Sequence, residues 1–234
     1  MLEEILSQGA KELDLAWTEE TLSRFRTYFE YLEEKNSVMN LTAISGEEAV
    51  AQLHFLDCAA LLALMDFKGK TLIDVGTGAG FPGLVLKIAE PSIELTLLDS
   101  LDKRIAFLQE TCEKIGLGDV TCIHARAEEA PKAFRESFDA ATSRAVARLN
   151  VLCELSLPLV KPGGIFVAMK GPDCGEEVEE ALPAIKALGG RHEKTLRYTI
   201  PGTDVAHAAV IIRKTGNTNA KYPRRWSQIK NKPL

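Results

Sequence analysis

No Cys-x-x-Cys pair occurs in this chain, no internal repeat, no low-complexity block and no apolar run long enough to span a bilayer. The opening "MLEEILSQGAKELD" is acidic and amphipathic, without the basic start and apolar core of a signal peptide. The cysteines (Cys58, Cys112, Cys122, Cys153, Cys174) number five, so they cannot all pair with one another. Together these absences exclude a disulfide scaffold and a membrane protein, and they place reduced thiols in a cytoplasm. The histidines (His54, His124, His192, His207) are scattered without metal-ligand spacing, which argues against zinc chemistry.

What is present is ordinary in bulk and uneven in distribution. The chain has 234 residues, 46% of them hydrophobic and 26% charged, enough for one sizeable core. Its net charge of −5 hides a basic end. From Arg213 to Leu234 there are seven basic residues and no acid, so −5 less +7 leaves −12 on the other 212 residues. A basic tail on an acidic body points to a polyanionic partner met at one place; the alternative is a solvated tail.

Apolar spacing predicts helices over the first seventy residues. Leu22, Phe25, Phe29 and Leu32 recur at helical intervals behind Thr18, a candidate N-cap. A second helix is expected from about Glu47 to Asp66, with Val50, Leu53, Leu56, Ala60, Leu61 and Leu64 on one face. From Thr71 onward strands and helices alternate: "TLIDV", "ELTLLD", "DVTCIHA", "FDAATS" and "IFVAMKG", then the pair "KTLRYTI" and "AHAAVIIRK". Five parallel strands and a final hairpin make an α/β doubly wound sheet of seven strands with helices on both faces. The expected organisation is a helical extension over residues 1–68 packed on the core, a catalytic domain over 69–214 and a basic tail over 215–234.

The chemistry centres on "TLIDVGTGAGFPG". Gly76, Gly78 and Gly80 follow the first strand of the alternation, where a doubly wound sheet binds its ligand. Glycines there let the backbone approach a ligand at positive φ. The spacing is GxGxG, not the GxGxxG of dinucleotide enzymes, and no P-loop Lys-Ser/Thr follows. Asp74 narrows the ligand further. A carboxylate beside this loop repels a pyrophosphate and attracts an ammonium. S-adenosylmethionine has an ammonium, a sulfonium and no phosphate. Asp99, about twenty residues on, stands where an acid accepts hydrogen bonds from ribose hydroxyls, with Ser100 beside it. Ala127 and Glu128, after the third strand, can border an adenine. Each acid alone could be a cap or a surface charge. As an ordered set they favour a methyltransferase over a dehydrogenase.

The acceptor is read from what the loops omit. The position after the fourth strand reads "TSRAVARLN", not the Asn/Asp-Pro-Pro-aromatic motif of exocyclic-amine methylation. None of the cysteines has the proline neighbour expected of a pyrimidine carbon-5 nucleophile. The lack of an evident base suits guanine N7, which already offers a lone pair and needs mainly placement. Arg144 lies in that loop and could bond guanine O6, the cofactor carboxylate or a phosphate. A cation close to N7 would oppose the charge the base gains, so cofactor binding or backbone orientation is the preferred role.

At these residues the chain resembles the RsmG (GidB) family of small-subunit rRNA guanine-N7 methyltransferases. The resemblance runs over nearly the whole chain. It rests on "DVGTGAGFPG", "LLDSLDKRIAFL", "SRAVARL" and "MKG", with "NSVMNLTA" and "HFLDC" upstream. It implies a Rossmann-like class I S-adenosylmethionine-dependent fold and methyl transfer to one guanine in the helix 18 loop of 16S rRNA. It also implies cofactor contacts at Gly76, Phe81, Ala127, Glu128 and Arg144. Three departures stand out: Cys58 where Ser is usual, Ala206 where many members carry Arg, and "WSQI" in the tail in place of a Pro/Gly-rich stretch.

Contacts to 16S rRNA or the small ribosomal subunit are expected from Lys103, Arg104, Arg126, Arg148 and Lys170 near the open end of the sheet. In the tail they are expected from Lys221, Tyr222, Arg224, Arg225, Trp226 and Lys230, where aromatic and guanidinium planes can stack on unpaired bases. A monomer with no membrane partner is expected. The alternatives are a methyltransferase of another substrate and a ribosome assembly factor that holds the cofactor only as a ligand.

Overall fold

The computed structural model describes the backbone of residues 1–234 and every side chain but that of Pro131. Helices α1 (Leu2–Glu12) and α2 (Glu19–Met39) open the chain. Thr18 caps α2 as its sequence suggests: its hydroxyl accepts from the Thr21 amide at 3.2 Å, with Glu19 and Glu20 in the first turn. The next helical stretch comprises α3 (Glu47–Val50), a π-helical turn (Ala51–Leu56) and α4 (Asp57–Leu64). The sequence predicts one regular helix here. The wider turn shifts the phase of the faces, so His54, Phe55 and Asp57 are buried while Leu53 and Leu64 are only half-buried.

The alternation that follows is β1 (Thr71–Val75), α5 (Gly83–Ala89), β2 (Glu94–Asp99), α6 (Asp102–Lys114), β3 (Thr121–His124), α7 (Pro131–Phe134) and β4 (Phe138–Arg144). Then come α8 (Leu149–Ser156), a 3-10 turn (Leu157–Leu159), β5 (Val160–Lys170), α9 (Gly175–Ala187), β6 (Gly190–Thr199), β7 (Ala206–Lys214) and α10 (Trp226–Asn231). The α8 helix stops before Pro158, which cannot donate to a continuing helix. Strand β5 begins earlier than expected, running through "KPGG" with a register shift against β4 between Phe138 and Ala140. Strand β3 is shorter than expected.

The seven strands lie in the order β3-β2-β1-β4-β5-β7-β6, with β7 antiparallel to both its neighbours. Strand order reverses between β1 and β4, so the carboxyl ends of those strands flank the crevice where such sheets bind ligands. Side chains alternate between two apolar layers. Leu72, Leu97, Ala140 and Val167 join the α1–α6 layer; Ile73, Val75, Ala141 and Phe166 join the layer formed with α8 and α9. The N-terminal helices belong to the first layer, and residues of the last twenty, Tyr222 and Ile229, to the second. No helix among the described residues is long and apolar enough to cross a membrane.

Candidate active site

A cleft of about 530 Å³ opens at the carboxyl ends of β1, β2 and β4. Its floor is Val75 and the loop Gly76–Ala79 with Phe81, and its walls include Asp99, Ser100, Arg104, Ala125–Glu128 and Arg144–Val146. Leu41 and Thr42 of the loop after α2 and His54 of the π-helical turn close it on the N-terminal side, and Leu155 and Trp226 on the opposite side. The expected cofactor residues Gly76, Gly78, Phe81, Asp99, Ser100, Ala127, Glu128 and Arg144 therefore meet at one place.

Asp74 and Gly80 do not line it. Strand alternation turns the Asp74 side chain into the α1–α6 layer, where it is fully buried. There its Oδ2 accepts from the Gly83 amide at 2.9 Å, one of the orphan donors at the start of α5. Burial pushes its pKa up to about 6, opposed by the bonds from Gly83 and Thr142. The expected ammonium contact is thus not made by this carboxylate, which braces the loop from behind. Gly80 (φ +106°) is spared a side chain by packing: a Cβ there would lie 2.6 Å from the Tyr28 hydroxyl. That hydroxyl donates to the Ala79 carbonyl, tying α2 to the loop.

Asp99 is 3% exposed and organises the other side of the cleft. Its Oδ1 accepts from Leu101 N, and its Oδ2 from Gly78 N at 3.0 Å and from Arg104 at 3.3 Å. Two carboxylate oxygens offer about four acceptor directions, so one remains for a hydroxyl.

Arg144 is the most constrained group in the cleft. It donates to the Leu53 carbonyl at 3.2 Å, to Asp57 Oδ2 at 3.1 Å and to His54 Nδ1 at 2.8 Å. Its guanidinium lies 4.8 Å from the centroid of Phe81, on which His54 also stacks at 4.3 Å. An Nδ1 that accepts from arginine leaves Nε2 as the donor, and Thr42 Oγ1 receives it at 2.7 Å. His54 is therefore neutral. Burial and the Arg144 charge push its pKa down to about 3. Asp57 is fully buried and uses its second oxygen on Tyr198 Oη and His207 Nδ1, both at 2.8 Å. The Asp57 contact raises the His207 pKa.

Sequence reasoning missed this bracket. "NLTA" and "HFLDC" carried the family resemblance but no assigned role, because the π turn that aims the Leu53 carbonyl, His54 and Asp57 at one arginine has no sequence signature. Leu41, Thr42, Ala145, Val146 and Leu155 were also missed as cleft residues.

The residues proposed for RNA separate into two groups. Lys103, Arg126, Lys221, Arg225 and Lys230 are exposed, and Arg126 lines the cleft beside Arg104. Arg148 is exposed but paired with Glu180. Lys170 is 12% exposed and donates to the Ala147 carbonyl and Glu177. Tyr222 is buried, and Arg224 grips the buried Glu154 through Nε at 2.8 Å and a terminal nitrogen at 2.6 Å. These last three serve the body: a buried carboxylate or helix needs its partner more than a solvated phosphate contact does.

The cleft suits S-adenosylmethionine on its own evidence. Gly78 (φ +61°) lines it, and a Cβ there would meet no atom within 4 Å, so the loop is bare where a ligand must approach. The volume is that of a small-molecule site.

Fold, topology and site define a class I S-adenosylmethionine-dependent methyltransferase. Solved structures share the fold. TrmN from Thermus thermophilus superposes with a TM-score of 0.53 at 22% identity, over 67% of this chain and 48% of that one. Precorrin-6y C5,15-methyltransferase from Geobacter metallireducens GS-15 gives 0.52 at 14% identity, over 76% and 92%. Within that class, the family model GidB, rRNA small subunit methyltransferase G, matches residues 21–201, and the chain belongs to this family. It is 46% identical to ribosomal RNA small subunit methyltransferase G of Alkaliphilus oremlandii (strain OhILAs), over 100% of this chain and 99% of that protein. It is 43% identical to the protein of the same name from Clostridium perfringens (strain 13 / Type A), over 99% and 98%.

Proposed function

We propose that this chain methylates N7 of one guanine in the helix 18 loop of 16S rRNA, as a cytoplasmic monomer acting on the small ribosomal subunit or its RNA. The bound cofactor supplies an electrophilic methyl on a sulfonium. The protein's part is binding and placement. In this reading Asp99 and Glu128, which line the cleft, meet ribose and base, and the bare position at Gly78 leaves room for the amino-acid end. One observation carries the choice of acceptor. Beside Arg144 the groups able to take a proton are spent: both His54 nitrogens are committed and the Asp57 carboxylate is enclosed by three donors. An acceptor whose nitrogen already has a free lone pair needs none of them. Arg144, held by Asp57, orients the acceptor or cofactor without taking part in proton transfer.

RNA is favoured as substrate by exposed Arg126 at the rim, with Lys103 and Arg225 adjacent in sequence to the cleft residues Arg104 and Trp226. A guanine in a folded loop must be unstacked to enter. The test is transfer of labelled methyl to small subunits lacking the modification, followed by borohydride–aniline cleavage, which cuts at 7-methylguanosine. Label and one cleavage site in 16S rRNA are expected. Label at another atom, or cofactor binding with no transfer to RNA, overturns the reading.

A further inference from the structure

The last twenty residues are not a solvated tail. Lys214, fully buried, donates to the Leu157 carbonyl at 2.6 Å and to Thr218 Oγ1 at 2.7 Å. Arg135 donates to the carbonyls of Thr218, Asn219 and Tyr222. Arg224 clamps Glu154 on α8, and Ile229 is fully buried in the same layer as α8. Between those two anchors stands Trp226, the first residue of α10, 38% exposed and lining the cleft. A large aromatic fixed on a tethered strap and left open at a ligand cleft marks a contact surface.

Which end of the cleft it faces follows from the layers. Ala125 and Ala127 pack against the apolar layer that holds Leu155, Tyr222 and Ile229, whereas Phe81 belongs to the other. Trp226 therefore shares a side with the loop after β3, close to the end where Asp99 meets a ribose. The other aromatic carbocycle of the cleft, Phe81, is already covered by Arg144 and His54. The remaining apolar surfaces near the β2 and β3 ends are aliphatic: Leu98, Ala125, Ala127 and Leu155.

We propose that Trp226 forms a wall of the adenine subsite, its indole packed on the purine of the cofactor. Trp226, read from sequence as an RNA contact, thereby becomes part of the small-molecule site. An indole offers a flat, apolar face that any purine can stack on.

Trp17 and Trp226 are the two tryptophans of the chain, so a Trp17→Phe protein reports Trp226 alone. Titration with S-adenosylhomocysteine is expected to change its emission saturably and to shield it from acrylamide. By calorimetry, Trp226→Ala should bind S-adenosylhomocysteine about tenfold more weakly, the loss of one stacked base, while Trp226→Phe keeps most of the affinity. Unchanged emission and shielding at saturation, with full affinity in Trp226→Ala, overturns the proposal. A loss confined to binding of a 16S rRNA fragment also overturns it, placing the ring on the RNA side. Should Trp226→Ala fold poorly, the Trp17→Phe titration and the Trp226→Phe affinity decide, since both keep an aromatic ring at position 226.

Discussion

The two flanks of the cleft use the same device, an arginine on a buried carboxylate, to opposite ends. On the N-terminal flank Asp57 holds Arg144 with its guanidinium still lining the cleft, over the face of Phe81. On the C-terminal flank Glu154 takes Arg224 out of play, and the cleft receives Trp226 from two residues along. One pair keeps a cation in the site. The other spends a cation to fix an aromatic ring. Basic residues close in sequence to a site thus divide by what their carboxylate partner leaves exposed, and charge counting does not distinguish them.

The contrast is sharpest in the cost of breaking each pair. Asp57→Ala leaves Arg144, Tyr198 and His207 without a shared acceptor in a buried setting. It should lower unfolding stability in urea by about 3–5 kcal/mol and weaken methyl transfer through a displaced Arg144. Glu154→Ala should cost less, about 2 kcal/mol, because Arg224 is 20% exposed and can turn to water. If the two losses are equal, the strap is as integral as the bracket and the distinction fails.

A smaller effect separates them by pH. The folded His54 pKa lies near 3, below the unfolded value near 6.5, so the unfolded chain binds the proton first. The His54 contribution to stability should therefore fall as pH drops below about 6.5, by about 2 kcal/mol near pH 5. His207 has the opposite sign: its raised pKa adds stability below the unfolded value, lost as pH rises through the folded one. Urea midpoints from pH 7 to 5 should show a flatter acid limb in His54→Gln than in the parent. An unchanged slope would mean His54 is not held neutral.

Much of the architecture was legible. Thr18 as a cap, the strand segments after Thr71, and a glycine loop followed by an acid on the second strand are local signals of spacing and residue type, and the sheet was expected from their order. The cleft side of β1 was not. Asp74 and Val75 are adjacent residues on opposite faces, and residue type alone favoured the acid as the ligand contact. The bracket around Arg144 joins residues 53, 54, 57, 198 and 207, which meet only after the N-terminal helices dock on the sheet.

By itself the sequence determined the doubly wound sheet and the glycine loop followed by an acid at the end of the second strand. These depend on hydrophobic period, glycine's freedom at positive φ and short-range order along the chain. Only the tertiary structure decided that Asp74 braces the loop, that Arg224 and Tyr222 belong to the body, and that Trp226 faces the cleft. The first depends on which face of β1 turns to the cleft, and the others on the tail docking where Arg224 meets Glu154, 70 residues away; local pattern carries no record of either.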